Sequence, residues 1–181
     1  MDGYHCLGRL MLLLFQFCLR KNLFLFSILS LVGIQMLMAL ILSDLSGELV
    51  SLQLSFSPER FQQVYSSWSL EQQQAYRNHF GLDFVYPFAY GGFFCVSLAH
   101  LIHKNKVADS WIWVITLPLF AGIFDCIENV FHLLLLDVNP MENAHLVLVA
   151  AISASIKWGL LFATMVLIVL GLVAGFIHSK R

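Results

Sequence analysis

Charge is what this chain has least of. Asp, Glu, Lys and Arg make up only 12% of its 181 residues, and the net charge is −1. A soluble domain draws about a quarter of its residues from these four types to keep its surface wetted, so a water-soluble fold is excluded. A nucleic-acid partner is excluded too, because no basic surplus exists to neutralise phosphates. Cysteine is equally thin: Cys6, Cys18, Cys95 and Cys126 are scattered, with no CxxC pair. Three of them lie in or beside apolar runs, where a thiol behaves as a small hydrophobe. The chain also lacks an internal repeat, a low-complexity tract, a GxSxG nucleophile elbow and a phosphate-binding glycine loop. Triad hydrolysis and nucleotide binding have no motif to stand on.

What the chain has in plenty is apolar length. It is 59% hydrophobic, with 16 Phe, and its mean hydropathy is +0.79. A helix needs about 20 apolar residues to cross the hydrocarbon core. Four segments qualify: 23–43, 84–102, 111–136 and 146–177. The last is long enough that it must tilt or emerge from the bilayer. The pattern predicts an all-α integral membrane protein, a four-transmembrane-helix bundle over residues 23–181. Residues 1–22 read as an interfacial segment: Met11–Cys18 (MLLLFQFC) is apolar but short, and Arg20 and Lys21 separate it from the first span. A signal peptide is the competing reading, but no small-residue cleavage site follows.

Basic residues fall on alternate segments. Arg9, Arg20 and Lys21 precede span one, Lys104 and Lys106 lie between spans two and three, and Lys180 and Arg181 come last. The loop 137–145 has no Lys or Arg, and the long loop 44–83 has only Arg60 and Arg77. This asymmetry predicts both termini in the cytoplasm of a cell (plasma or inner) membrane, with those two loops on the far side.

The loop 44–83 carries helix signals. Ser57 reads as an N-cap, Pro58 as the first helical residue, and Glu59 sits near the positive helix end. Phe61, Val64, Tyr65 and Trp68 then share one face. A second start follows at Ser69, with Gln72 as its capping-box partner, and Gly81 is placed to end that helix. The pair reads as amphipathic helices lying on the membrane surface. The same residues also suit a lid over a site between the spans.

The third span contains LPLFAGIFDCIENVFHLLLL, residues 117–136, and breaks its own apolar rule there. Steps of 100° put Asp125, Glu128, Asn129 and His132 within an arc of about 80°. Charge facing lipid costs several kcal/mol, so this face points into the bundle. Pro118 and Gly122 lie along the stripe, where the helix is expected to bend. Lys157 is the one basic residue deep in a span. Asp125 and Lys157 each lie 12 residues from the ends of the loop 137–145, or about 18 Å deep at the helical rise. Spans joined by so short a loop are antiparallel neighbours, so Lys157 is the expected partner of Asp125 or Glu128. Ser153, four residues before Lys157, faces the same space. Span two contributes Asp83, Tyr86, Pro87 and Tyr90 on one stripe, with His79 just before it. The expected picture is a polar funnel, Asp83 at its mouth and Asp125, Glu128, Asn129 and Lys157 at its floor. With both carboxylates and the lysine ionised, the floor carries −1, which a proton, a cation or a ligand's ammonium group would have to offset. The bland alternative is a polar clasp that only holds helices together.

Metal chemistry has little to work with. His100 and His103 sit at the opposite end of span two from His132 and His145, and Glu128–His132 gives at most two ligands where zinc takes three or more. No metal and no cofactor are expected.

The segments AYRNHFGLDFVYPFAYG, FDCIEN and IKW, over about residues 55–160, resemble a family of small four-span membrane proteins of uncharacterised function. That resemblance implies the fold and no activity. The layout is also similar to the four-span EXPERA-type proteins that bind or isomerise sterols with buried carboxylates, by topology alone. The reading is therefore a multi-pass membrane protein in the lipid bilayer, with a polar intramembrane site made of Asp83, Tyr86, Tyr90, Asp125, Glu128, Asn129, His132, Ser153 and Lys157. It would bind a small cation or an amphiphile or lipid, or act as an accessory subunit to a membrane-protein partner or in a homo-oligomer. The alternative is a membrane-embedded enzyme that uses Asp125 or Glu128 as general acid/base on a lipid.

Overall fold

The computed structural model describes residues 2–45 and 47–179, and the side chains of 8–45 and 47–177. The Cys6 side chain and the basic pair Lys180 and Arg181 lie outside the described residues. Among those described, all regular structure is helical: α1 Asp2–Cys18, α2 Lys21–Ile41, α3 Leu49–Gln53, α4 Pro58–Ser67, α5 Leu70–Asp83, α6 Tyr86–Lys104, α7 Leu117–Leu135 and α8 Ala144–Ser179. Short 3-10 segments occupy Ser43–Leu45 and Asp109–Thr116. Three stretches are long and apolar enough to cross a membrane: Lys21–Ile41, Asp109–Leu135 and Ala144–Ile177. α6 joins them only when taken with α5, from which it is bent by 48°.

Local chemistry sets these boundaries. Ser57 Oγ accepts from the Arg60 amide at 3.2 Å with Pro58 in the first turn, which starts α4. Ser69 and Gln72 form a reciprocal capping box at the start of α5. That helix does not end at Gly81, as the sequence suggested; it runs on to Asp83 and breaks at Phe84–Val85. Pro87, in the first turn of α6, explains the break, because its ring cannot follow a continuing helix and it offers no amide. Pro118 does the same within the Asp109–Leu135 stretch. The chain is 3-10 from Asp109 to Thr116, and the α-helix starts at Leu117 with Pro118 in its first turn.

α7 is the central helix. In its most apolar window 39% is buried within the protein, against 11% for α2 and for α8. α8 packs along it, α6 packs on both, and α2 lies outside α6. The contacts are built on small residues: Ala99, Ala121, Ala151 and Ala154 have 0% exposure. Small side chains let helix backbones approach where lipid offers no hydrophobic drive. A Cβ added to Gly122 would stand 3.2 Å from Pro87 Cβ, so α6 and α7 cross there in close contact. Leu, Phe, Val and Ile elsewhere on α2 and α8 point outward, Phe26, Leu40, Phe162 and Leu170 among them.

The two ends of the unit differ. At one, Asn105 Nδ2 donates to the Gly171 carbonyl at 2.8 Å and ties the Lys104–Lys106 turn to α8. At the other, α3, α4 and α5 fold over the ends of α2, α7 and α8. Leu45, Leu52, Phe61, Val64, Trp68, Tyr76 and Phe80 are buried there with Leu135, Val147 and Ala150. Arg77 reaches the 137–143 loop, pairing with Asp137 at 2.6 Å. Trp68 Nε1 donates to Glu48, and Trp158 Nε1 on α8 to Gln53 at 3.3 Å. The apolar faces of α4 and α5 are thus spent against the helix ends, forming a cap.

Candidate functional site

The 3.6-residue period of α7 places Asp125, Glu128, Asn129 and His132 on one buried face, at 3%, 1%, 2% and 2% exposure. Lys157 comes from α8 at 4%. Its Nζ stands 3.0 Å from Asp125 Oδ1 and 2.6 Å from Glu128 Oε2. The sequence left open which carboxylate meets the lysine, and the structure gives both. The contact to Asp125 is a directed hydrogen bond, and that to Glu128 is a shorter ion pair. Tyr90, from α6, donates its hydroxyl to the second oxygen of Asp125 at 2.9 Å. One ammonium is therefore shared by two carboxylates in a water-excluded interior.

A second group sits toward the cap. Asn129 Nδ2 donates to the Asp83 carbonyl at 3.2 Å, tying α7 to the end of α5. The Asp83 carboxylate faces His79 Nε2 at 3.5 Å, and the other nitrogen of His79 donates to the Tyr76 carbonyl. The Tyr76 hydroxyl meets His132 Nδ1 at 2.6 Å, and the ring of Phe61 lies 5.7 Å from the imidazole. Tyr76 has one hydrogen to give and no other acceptor for it among the described residues, so Nδ1 accepts and Nε2 carries the ring proton. That Nε2 is buried and has no hydrogen-bond partner among the described residues.

The residues singled out from sequence divide into three sets. Asp125, Glu128, Lys157 and Tyr90 converge on one ion cluster. Asp83, Asn129 and His132 belong to the group beneath the cap. Tyr86 and Ser153 do not join either by a polar contact. The Tyr86 hydroxyl turns to Gln35 Oε1 on α2 at 2.5 Å, although its ring meets that of Tyr90 edge-on. Ser153 is buried at 4% but makes no hydrogen bond to the cluster. The expected funnel mouth is closed: Asp83 is 7% exposed, and Phe61, Tyr76 and Phe80 of the cap are buried with it. Tyr76 and Gln35 are the residues sequence reasoning missed. Tyr76, His79, Phe80 and Asp83 are spaced as one helical face, the signal that would have found them. Gln35 is the one amide side chain in the apolar run 23–43, which is a signal too.

Among the described residues no group of three or more His, Cys, Asp and Glu side chains converges with metal-binding geometry. The Lys157 ammonium lies against both carboxylates. An apolar groove of about 610 Å³ lies between α6 and α7 on the outer surface, lined by Pro87, Gly92, Ile123, Cys126 and Val130 among others, and by none of the polar group. No protein-family model, curated protein sequence or solved structure matches this chain.

Proposed function

We propose that the chain is a four-span membrane protein, with α2, α6, the Asp109–Leu135 segment and α8 as its spans. In this reading both termini are cytoplasmic in a plasma or inner membrane, and α3–α5 form a cap on the far side. Beneath the cap, Asp125, Glu128 and Lys157 form a site for a small cation or for the ammonium head group of an amphiphile. The observation that carries this is the sharing of one lysine by two carboxylates. Asp125 alone would neutralise Lys157, as a clasp requires. Glu128 adds an unbalanced negative charge at 1% exposure, and burying charge without a partner is costly. A positively charged ligand, or a proton where none is bound, completes the balance. The resemblance of the FDCIEN and IKW segments to four-span proteins agrees with this architecture and names no ligand.

The rival reading, a lipid-modifying enzyme with Glu128 as acid/base, needs a lipid path to that carboxyl. The groove between α6 and α7 opens on the other face of α7 and does not supply one, which within the first reading also favours a small cation over an amphiphile.

The test is a thermal-unfolding panel on the detergent-solubilised chain at constant ionic strength, with sodium, potassium, ammonium and dodecylammonium salts. At least one should stabilise the protein saturably, and Glu128→Gln should remove that effect. Unfolding that is indifferent to all four in the unsubstituted protein overturns the reading.

A further inference from the structure

α1 is the outermost helix of the unit, packed mainly against α6 and the Asp109–Thr116 segment. Its apolar residues Leu10, Leu13 and Phe17 are exposed. One of its described side chains is treated differently. Cys18 is 3% exposed and lies against Cys95 of α6, itself 2% exposed, with the two sulfurs 3.4 Å apart. Both thiols are free. They belong to the buried group formed by Val96, Ala99, Ile112 and Ile115 at the basic end, away from the carboxylate cluster.

We propose that Cys18 and Cys95 form a reversible disulfide that latches α1 to the membrane helices when the chain meets a hydroperoxide. A disulfide requires sulfurs about 2.05 Å apart, so they must close by about 1.4 Å from the observed 3.4 Å. The helix break at Leu19–Arg20 gives α1 room for that movement. Cys18 is the first to react: its hydrogen-bonding contact with Cys95 draws its thiol below the ordinary value, against the opposing effect of burial. The Cys18 thiolate attacks the outer peroxide oxygen, and the O–O bond breaks. This leaves a sulfenic acid on Cys18 and an alkoxide, which takes up the proton that the Cys18 thiol released and becomes the alcohol. The Cys95 sulfur then attacks the Cys18 sulfur, the S–O bond breaks, and hydroxide leaves with the Cys95 proton as water. Two thiols are oxidised by two electrons, and one hydroperoxide is reduced to alcohol and water. Burial makes the reaction slow and the product resistant to bulky reductants.

The experiment treats the chain carrying Cys6→Ser and Cys126→Ser, in phosphatidylcholine vesicles, with tert-butyl hydroperoxide. The unsubstituted chain is run in parallel and mapped by peptide mass. The expected result is the loss of two hydrogens, with the Cys18 and Cys95 peptides joined. The melting temperature should rise by roughly 5–10 °C and return on reduction after unfolding. Cys18→Ala and Cys95→Ala should each abolish both effects. Thiols that remain free in both chains, cross-links between molecules, or a disulfide that leaves melting unchanged overturn the proposal.

Discussion

Tyr76 and His132 stand 56 residues apart in sequence and share a 2.6 Å hydrogen bond. The contact joins the cap to the central helix at a point closed to water. Tyr76→Phe keeps the ring packing on Trp68 and Phe80 but leaves His132 Nδ1 without its donor. An orphaned buried acceptor costs about 1–3 kcal/mol. Thermal unfolding should show that loss, and proteolysis within residues 44–83 should become faster. Tyr65→Phe, which removes a partly exposed hydroxyl, should cost less than about 0.5 kcal/mol. Equal effects would mean the cap does not depend on this bond.

The shared lysine makes a prediction of a different form. Lys157→Met leaves two carboxylates without their cation, and breaking a buried pair from one side commonly costs about 3–5 kcal/mol. Asp125→Asn added to it should recover part of the loss. Adding Glu128→Gln as well should recover more, because both carboxylates touch Nζ. Strict additivity across this set, measured by unfolding in detergent, would show that the three side chains do not interact.

The crossing of α6 and α7 can be tested with two glycines. Gly122→Ala places a methyl 3.2 Å from Pro87 Cβ, and both groups are fixed to backbones that cannot easily part. A cost of about 1–3 kcal/mol is expected. Gly92→Ala on the same helix pair meets nothing within 4 Å and should be neutral or slightly stabilising through its helix propensity. A reversed order would mean the helices do not meet at Gly122.

Much of this arrangement was legible before any coordinates. The inward stripe of α7 follows from the helical period and the cost of charge in lipid. The Asp125–Lys157 contact follows from equal depths on two antiparallel spans. Glu128 was one turn away, within reach of a long lysine stem, but spacing alone could not decide whether it shared Nζ. The cap was harder. Phe61, Val64 and Trp68 on one face suit a membrane surface and a protein core equally well, and hydrophobicity does not distinguish them. Tyr76 escaped for a related reason: the buried face of α5 is aromatic and polar, so its apolar contrast is weak. The Tyr86 assignment failed because the 48° bend between α5 and α6 and the side-chain rotamer decide where its hydroxyl goes. Neither is written in residue spacing.

Orientation is checked by single cysteines in a background without the native ones. Ser66→Cys, in the cap, should be labelled by an impermeant maleimide from outside intact cells. Lys106→Cys should be labelled only after the membrane is opened. The reverse pattern would turn the whole arrangement over and put the cap in the cytoplasm.

The most direct test of the central claim compares Glu128→Gln with the unsubstituted chain in a cation titration. A ligand at 100 times its dissociation constant stabilises the folded state by about 2.7 kcal/mol. The titration uses whichever of ammonium, sodium, potassium or dodecylammonium binds, at fixed ionic strength. The account predicts saturable stabilisation of the unsubstituted protein and none for Glu128→Gln, with that variant folded and melting within a few degrees of its parent. Equal stabilisation of the two proteins would place the cation elsewhere and leave Asp125, Glu128 and Lys157 as a structural clasp.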